Sequence, residues 1–272
     1  IEIIRLGLSV KFFVICKILA GLLCPVVCDI LLKAIDNLLT KHVCNLRILG
    51  DNSCGDGAFL KEVVKRYCSV FLEQSDDLSK LKRELEKYIH GIELDTHECE
   101  ACIQNLNEIA AGFGLSNIHW DVINGDTLTI DKYNGKIDFV FGNPPYVRVH
   151  NLESSYDAVK KFRFAEQGMT DLFIVFFEIG FNMLSKEGIM CLITPSSWLS
   201  SKAGSHLRLY IKQHNNLSGL IDLEHFQPFE ATTYTLISRF QSPQSFESID
   251  YCNFDDEKVT KRNLCSLSLK DI

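Results

Sequence analysis

The chain has 272 residues, of which 46% are hydrophobic and 23% are charged, an ordinary composition for one large globular domain or two small ones. Its net charge of −7 excludes a self-sufficient nucleic-acid-binding protein, because phosphate contacts need clustered Lys and Arg. The 11 cysteines follow no framework spacing, which excludes a disulfide scaffold and favours free thiols in a reducing cytoplasm.

Residues 1–44 are predicted to form an N-terminal helical extension. They are very apolar between Ile3 and Leu32, but charged residues interrupt them. The longest uncharged run, Ile18–Cys28, is far shorter than the ~20 residues that cross a bilayer. We therefore expect buried helix, a cytoplasmic protein and no membrane partner. Because the chain begins with Ile1 rather than Met, we also expect a fragment or a trimmed product.

From Asn45 onward, short apolar runs alternate with amphipathic stretches, a pattern typical of an α/β protein with a mostly parallel sheet. The predicted strands are Leu46–Gly50, His90–Leu94, Ile118–Ile123, Ile137–Phe141, Ile189–Thr194, Gly219–Asp222 and Thr233–Phe240. The predicted helices are Ala58–Tyr67, Leu78–Tyr88, His97–Gly112, Leu172–Leu184 and Gly204–Gln213. We therefore expect a doubly wound sheet of seven strands in residues 45–242, which binds ligands at the carboxyl ends of its strands.

A glycine-containing segment, Asp51–Gly57, follows the first predicted strand and opens the first predicted helix. Gly55 and Gly57 lack Cβ, so the backbone can turn sharply and a ligand can approach closely. The segment lacks the lysine of a phosphate-binding P-loop. Tight turns between strand and helix also use glycine for packing, so this segment supports a nucleotide site only together with others.

Carboxylates follow the next two predicted strands. Glu93 lies at the end of the second strand, where it can accept hydrogen bonds from both ribose hydroxyls of an adenosine-containing cofactor. Asp95 is predicted to cap the helix that follows. Asp126, within Gly125–Leu128, can accept from an adenine amino group, although Asp and Gly are also common in ordinary turns.

The tetrapeptide Asn143-Pro144-Pro145-Tyr146 directly follows an apolar strand. The Asn143 side-chain oxygen and the Pro144 carbonyl can both accept from an aromatic amine, which favours the pyramidal amine and localises its lone pair. The prolines restrict the backbone and hold these acceptors rigidly. Tyr146 can stack on a base rotated out of a duplex. The alternative interpretation is a rigid surface turn.

These segments, in this order, resemble the gamma class of N6-adenine DNA methyltransferases, which includes the Taq-type enzyme and many restriction-associated methylases. The resemblance runs from about Gly21 to Phe240. It implies the Rossmann-like fold of class I S-adenosylmethionine-dependent methyltransferases, with S-adenosylmethionine as cofactor. The implied reaction is site-specific methyl transfer to adenine N6 in double-stranded DNA, with the target adenine flipped out, within a restriction-modification or phage-defence system. The implied partners are a restriction endonuclease or a separate recognition domain.

The resemblance also assigns roles to individual residues. Those implied to bind the cofactor are Asp51, Ser53, Gly55, Gly57, Glu93, Asp126, Pro145 and Phe176. Those implied to form the catalytic loop are Asn143, Pro144 and Tyr146. Phe229 is implied to be the second face of a sandwich around the target base, opposite Tyr146. Phe176 is implied to border the cofactor adenine.

The chain departs from this family's pattern at several places. Leu23-Cys24-Pro25 stands where an aromatic residue, Thr and Pro are usual, which removes one hydroxyl contact to the cofactor. Asn52 stands where proline is common, and we expect this change to be benign. The chain ends at Ile272, so we expect residues 243–272 to be a linker or the start of a missing DNA-recognition domain, whose absence accounts for the acidic charge.

A basic stretch within residues 147–169 adjoins the predicted catalytic loop. Its candidates for contacts with the DNA backbone are Arg148, Lys160, Lys161 and Arg163. The alternative interpretation is a solvated polar loop. No metal is expected: His97, Cys99 and Cys102 are interpreted as one helix face, because a structural zinc needs four ligands.

Three other functions remain open from the sequence. A glutamine amide in a translation release factor poses the same lone-pair problem as adenine and is methylated by enzymes with a similar Asn-Pro-Pro-Tyr loop. RNA amino groups are a further substrate class. A non-catalytic, methylase-like module is the third alternative, favoured by Cys24 and disfavoured by the intact tetrapeptide. Phe229 and the basic stretch favour a base as the substrate.

Overall fold

The computed structural model describes residues 48–149, 156–166, 170–223, 234–241, 249–255 and 258–262. The predicted helical extension, the Leu23-Cys24-Pro25 segment and Phe229 lie outside these residues. The strands are β1 (Leu49–Asp51), β2 (Ile89–Glu93), β3 (Asp121–Asn124), β4 (Ile137–Gly142), β5 (Leu184–Pro195), β6 (Leu217–Asp222), β7 (Thr235–Gln241), β8 (Asp250–Asp255) and β9 (Lys258–Arg262). The helices are α1 (Ala58–Leu72), α2 (Leu78–Tyr88), α3 (Thr96–Gly112), α4 (Tyr156–Val159), α5 (Leu172–Met183) and α6 (Ser205–His214). Among the described residues, no helix is both long and apolar enough to cross a lipid bilayer.

One sheet contains all of these strands, in the order β3-β2-β1-β4-β5-β7-β6-β8-β9. Strands β1 to β5 run parallel to one another, and β7 is antiparallel to both of its neighbours, β5 and β6. All seven predicted strands are present. The doubly wound, mostly parallel sheet expected from the alternation of apolar and amphipathic segments is confirmed.

Strands β8 and β9 were not predicted. β8 pairs parallel to β6, and β9 pairs antiparallel to β8, so part of residues 243–272 extends the sheet where we expected a linker or a recognition domain. The apolar pattern gives little sign of β9, because Lys258, Lys261 and Arg262 fill much of it, as is common for strands at a sheet edge. The division of the chain into three units stays a prediction.

Both faces of the sheet are buried, as the alternation along β5 shows. Ile189, Cys191 and Ile193 belong to the apolar cluster that contains α1, α2 and α3. Met190 and Leu192 belong to the cluster that contains α5 and α6 on the other face. Successive side chains of a strand point to opposite faces, so helices cover the sheet on both sides. Helix α5, predicted to be apolar nearly all round, is buried over most of its length.

The order of the strands creates the place where a ligand can bind. The chain passes from β1 to β2 and β3 on one side of β1, then crosses to β4 on the other side. The loops after β1 and β4 therefore diverge at the carboxyl edge, and such a switch point leaves a crevice between them. The Asp51–Gly57 and Asn143–Tyr146 segments are these two loops.

Candidate functional site

The glycine loop after β1 is shaped by its own backbone. The Ser53 N–H donates to Asp51 Oδ1 (3.0 Å), and the Gly57 N–H donates to the Cys54 carbonyl (2.8 Å). Gly57 has a φ of 80°, and a Cβ added there would lie 2.6 Å from the Cys102 sulfur on α3. Glycine is required at this position both by the left-handed backbone and by the close approach of α3.

Glu93 joins the glycine loop to the end of β2. One carboxylate oxygen accepts from the Gly55 N–H (2.8 Å), and the other accepts from the Asp95 N–H (2.9 Å). A carboxylate oxygen has two acceptor positions, so Glu93 keeps capacity for ribose hydroxyls. Asp95 caps α3 by accepting from the Glu98 N–H (3.0 Å), which confirms its predicted role.

The segment after β3 lies beside the first two. The Gly125 N–H donates to the Glu93 carbonyl (2.8 Å), and the Thr127 hydroxyl donates to the Asn52 carbonyl (2.9 Å). Asp126 is partly buried, and its side chain accepts from the Leu128 N–H (2.9 Å). The structure therefore brings the three predicted cofactor segments to one edge, while the contact of Asp126 with adenine stays a prediction.

The loop after β4 meets the glycine loop at the switch point. The Ser53 hydroxyl donates to the Asn143 carbonyl (3.3 Å). A Cβ added at Gly142 would lie 2.7 Å from Asp51 Oδ1, so this glycine allows β4 to end against the Asp51 carboxylate. The two loops are thus in direct contact.

The Asn143 side chain carries the feature that matters most for chemistry. Its Oδ1 is buried and accepts no hydrogen bond from any of the residues described. Leaving a buried acceptor unpaired costs about 1–3 kcal/mol in a folded protein, so such atoms are rare and need an explanation. Pro144, which follows, is buried, so the backbone that aims this oxygen is held by packing as well as by its ring.

Tyr146 is fixed at both of its ends. Its hydroxyl donates to the Ile193 carbonyl at the end of β5 (3.2 Å). Its ring meets Phe173 of α5 edge to face, with the ring centroids 6.2 Å apart. Burial raises the pKa of the phenol well above its usual value, so Tyr146 stays neutral. The role of this ring as a stacking face for a base stays a prediction, and Phe229, assigned to the other face, lies outside the described residues.

The Asp51 carboxylate is buried without a full set of partners. It is 0% exposed, and its Oδ2 accepts no hydrogen bond from the described part of the chain. Burial, opposed by the Ser53 N–H and assisted by the negative charge of Glu93, raises the pKa of Asp51 to about 7. The adjacent Asn52 is also 0% exposed.

The remaining predicted site residues lie in different parts of the fold. Phe176 is 5% exposed and lies within the apolar cluster that contains α5 and α6, so its predicted contact with a cofactor adenine stays a prediction. All four basic candidates are exposed. Arg148 lies two residues beyond Tyr146 and forms an isolated bridge with Asp171. The Arg163 backbone N–H donates to the Glu178 carboxylate on α5 (3.2 Å), and the role of the four residues as DNA contacts stays a prediction.

Several residues of this site could not be found by sequence reasoning. The sequence marked Asn52 only as a departure from the family's pattern and not as a buried side chain, and the Ser53 hydroxyl gave no sign of its contact with Asn143. Gly142 could have been suspected, since it immediately precedes the tetrapeptide. Within the described ranges no group of three His, Cys, Asp or Glu side chains could hold a metal ion. Cys99 and Cys102 share the buried side of α3, as predicted.

Residues 8–229 match the family model described as Eco57I restriction-modification methylase. The Type II methyltransferase M.BstVI of Geobacillus stearothermophilus is 29% identical over 227 residues, which are 78% of this chain and 40% of that relative. The Type II methyltransferase M.XhoI of Xanthomonas vasicola is 27% identical over 203 residues, which are 71% of this chain and 37% of that relative. The chain spans well under half the length of these relatives.

Solved structures share the fold. A nuclease-deletion mutant of the Type ISP restriction-modification enzyme LlaGI, in complex with a DNA substrate mimic, matches 84% of this chain and 23% of its own, with a TM-score of 0.67 and 16% identity. The M protein of the Type I restriction enzyme EcoKI matches 76% of this chain and 44% of its own, with a TM-score of 0.61 and 17% identity. At such identities the likeness shows the fold alone. That fold is the Rossmann-like fold of class I S-adenosylmethionine-dependent methyltransferases.

Proposed function

Because the chain belongs to the Eco57I restriction-modification methylase family, we propose that it is the catalytic part of a DNA methyltransferase that transfers a methyl group from S-adenosylmethionine to N6 of adenine. The observation that carries this proposal is the buried, unpartnered Oδ1 of Asn143 at the switch point of the sheet. An acceptor in this state is ready to bind an amine hydrogen that arrives with the substrate.

The residues at the carboxyl edge fit the proposed cofactor. Glu93 offers acceptor positions for ribose hydroxyls, and the unpartnered Oδ2 of Asp51 offers an anionic acceptor for a cationic ligand. Asp126 lies in the neighbouring segment, where it can accept from an adenine amino group. When bound, S-adenosylmethionine supplies an electrophilic methyl group on a sulfonium. The electrophile is strong, so the protein needs no strong general base.

The chain's own residues would act on the amine that receives the methyl group. Its lone pair is delocalised into the ring, which makes it a poor nucleophile. Asn143 Oδ1 and the Pro144 carbonyl would accept its two hydrogens, most strongly when the nitrogen is pyramidal. This favours the reactive form by positioning and by preorganised electrostatics. The ring of Tyr146, held by Ile193 and Phe173, would stack on the flipped base.

The proposed substrate is DNA. The relatives named above are Type II methyltransferases, and the LlaGI structure contains a DNA substrate mimic. The net charge of −7 makes a second source of DNA contacts necessary. We propose that the remainder of a longer protein, or a separate subunit, supplies target recognition, and that a restriction endonuclease activity accompanies it. A further relative is named as a Type II restriction enzyme and methyltransferase, and this chain covers 26% of it.

The proposal is tested by incubating the full-length protein with S-adenosylmethionine and unmethylated DNA, followed by mass spectrometry of the nucleosides. We expect N6-methyladenine in the wild type and its loss in Asn143→Ala. Methylated cytosine would assign the loop to a different amine. Methyl transfer to RNA or to a protein glutamine, with none to DNA, would show that the proposed substrate class is wrong. If folded protein transferred no methyl group to any of these substrates, the chain would lack the proposed activity although it belongs to the family.

A further inference from the structure

Asn124 is the last residue of β3, and it lies beside Glu93, the last residue of β2, in the register of the parallel sheet. Its side-chain amide joins the ends of the two strands. The Nδ2 group donates to the Glu93 carbonyl (3.0 Å) and to the Leu94 carbonyl (3.1 Å). This exposed side chain therefore fixes the course of the backbone as it leaves β2.

Thr96, at the start of α3, fixes the orientation of this amide. Its hydroxyl donates to Asn124 Oδ1 (2.8 Å). Because the two backbone carbonyls can only accept, the Nδ2 group must face them, and the Oδ1 atom must face the hydroxyl. The three hydrogen bonds join residues that are 28 to 31 positions apart in the chain. The Asn124 carboxamide is thus held on both of its sides.

The peptide group between Leu94 and Asp95 connects Asn124 to the Glu93 carboxylate. Its carbonyl accepts from Asn124 (3.1 Å), and its N–H, which belongs to Asp95, donates to Glu93 Oε1 (2.9 Å). A peptide group is planar, so the direction of its carbonyl sets the direction of its N–H. Asn124 therefore orients the N–H that holds one oxygen of Glu93, while the Gly55 N–H holds the other (2.8 Å).

A carboxylate needs a defined orientation to bind two neighbouring hydroxyls at once, because each hydroxyl must approach along an acceptor direction. The last side-chain bond of a glutamate has only broad rotational preferences of its own. If one of its oxygens were released, the Glu93 carboxylate could rotate and would lose its preference for a pair of hydroxyls. The contacts that fix Glu93 can therefore determine which sugars the site accepts.

We propose that Asn124, oriented by Thr96, is a positioning residue that makes the site specific for a ligand with both ribose hydroxyls. It acts on the ligand through the Leu94–Asp95 peptide and Glu93. This inference rests on the proposed function, since it takes an adenosine-containing cofactor as the ligand. It deepens that function by naming the residues outside the binding segments that set the sugar specificity.

The test compares S-adenosylhomocysteine with its 2′-deoxy analogue, which lacks one ribose hydroxyl. Titration calorimetry of the full-length protein gives the affinity for each, and the ratio of the two affinities measures the preference for the complete ribose. The wild type should prefer S-adenosylhomocysteine. Asn124→Ala should weaken S-adenosylhomocysteine by about 3- to 10-fold, the effect of one misplaced hydrogen bond, and change the 2′-deoxy analogue less than about 2-fold.

Variants of Thr96 test the orientation of the amide. Thr96→Val removes the hydroxyl and should lower the preference for the complete ribose, whereas Thr96→Ser keeps the hydroxyl and should retain that preference. The matched control is Asn107→Ala, which removes an exposed asparagine of α3 that accepts from Trp120 (2.9 Å), and both affinities should stay at wild-type values. Because Thr96 and Asn124 are exposed, their variants should keep the urea midpoint of the wild type.

A double variant shows whether Asn124 acts through Glu93. In protein that already carries Glu93→Ala, Asn124→Ala should change neither affinity further, because no carboxylate is left to position. A further loss in that background would overturn the proposed route.

The remaining outcomes separate this inference from the proposed function. Equal weakening of both ligands by Asn124→Ala, or no weakening of either, would overturn the positioning role and leave the proposed function standing. Equal binding of both ligands by the wild type would also overturn it, since Glu93 would then not select the ribose. Failure of the wild type to bind either ligand would overturn both the positioning role and the proposed cofactor.

Discussion

The two ends of the parallel strands differ in how their polar side chains are paired. At the amino ends of β2 and β3, His90 Nδ1 lies 2.8 Å from Asp121, and the Lys132 ammonium lies 2.7 Å from the same carboxylate. At the carboxyl ends, Asp51 Oδ2, both polar atoms of Asn52 and Asn143 Oδ1 have no partner among the residues described. The paired end contributes to stability, whereas the unpaired end gives up stability to hold acceptors and donors in place.

The pKa shifts of the two ends follow this difference. Lys132 and His90 hold the pKa of Asp121 below its usual value, against the effect of its partial burial. The reverse holds for Asp51, whose pKa burial raises to about 7. The ionised carboxylate is stabilised where its partner is part of the fold, and it is destabilised where the partner must arrive with a ligand. The lowered pKa of Asp121 is therefore typical of a structural contact, whereas the raised pKa of Asp51 is typical of a binding site.

The largest expected effect is that of Asn143→Ala at the unpaired end. Loss of an acceptor matched to the transition state should lower the single-turnover rate of methylation at least ~100-fold, as loss of one preorganised partner does in other enzymes. Cofactor and DNA binding should be retained. Rapid-quench measurements with full-length protein and labelled cofactor would check this. A variant that keeps more than about a tenth of the rate would show that the Asn143 oxygen does not activate the amine.

Tyr146 should show an intermediate effect that depends on its ring. Tyr146→Ala should weaken capture of the flipped base by ~1–3 kcal/mol, the contribution of one base stacked on an aromatic side chain. Tyr146→Phe loses the hydroxyl contact with Ile193 and keeps the ring, so its effect should be much smaller. Fluorescence of 2-aminopurine at the target position reports base capture. Similar losses in the two variants would argue that the hydroxyl, rather than stacking, is what matters.

Asp51 should make cofactor binding depend on pH. Its folded-state pKa of about 7 lies above the ordinary value of 3.8, so its contribution to the stability of the ligand-free protein is lost as pH rises from about 4 through 7. A cationic ligand favours the carboxylate, so affinity should rise with pH and level off above about 7. The groups whose charges act on or respond to Asp51 are Glu93 and Cys54, and the Ser53 N–H donates to it.

Calorimetry with S-adenosylmethionine at pH 6, 7 and 8 would measure this dependence, with an expected gain of several-fold from the lowest to the highest pH, since one titrating group changes affinity at most tenfold per pH unit. Comparing two buffers of different ionisation enthalpy should reveal proton release at pH 6. The matched control is Asp51→Asn, which cannot titrate and should give weaker, pH-independent binding. An equally steep dependence in Asp51→Asn would assign the titration to another group.

The smallest expected effect on activity is at the paired end. Asp121→Asn should leave the single-turnover rate unchanged and reduce the free energy of unfolding by ~1 kcal/mol, because it weakens a partly exposed charge pair with Lys132 and a hydrogen bond with His90. The pKa of Asp121 is lowered in the folded protein, so this stability is present above pH ~4 and is lost as pH falls through the folded pKa. Urea denaturation at pH 7 would give the difference. A large loss of activity in a stably folded variant would show that Asp121 also serves the reaction and that the amino ends of the strands are not purely structural.

Much of the fold could be predicted because its signals are local. Alternating apolar residues marked the strands, and the all-apolar stretch marked α5 as a buried helix. The short strands β8 and β9 were missed, because charged residues at a sheet edge hide the apolar pattern. Asp95 as a helix cap was also predictable, since a cap and its target lie three residues apart.

The sequence by itself determined which chemical groups the site contains and the order in which they follow the strands. Asn143, Glu93 and the glycine loop were recognisable from residue type and spacing. Only the tertiary structure decided how those groups are paired. Ser53 and Asn143 are 90 residues apart in the chain, yet they are joined by a hydrogen bond. Whether a polar atom has a partner depends on such long-range contacts, because neighbours in space are set by the sheet order rather than by the chain. For that reason the unpaired atoms of Asp51, Asn52 and Asn143 came from the fold alone.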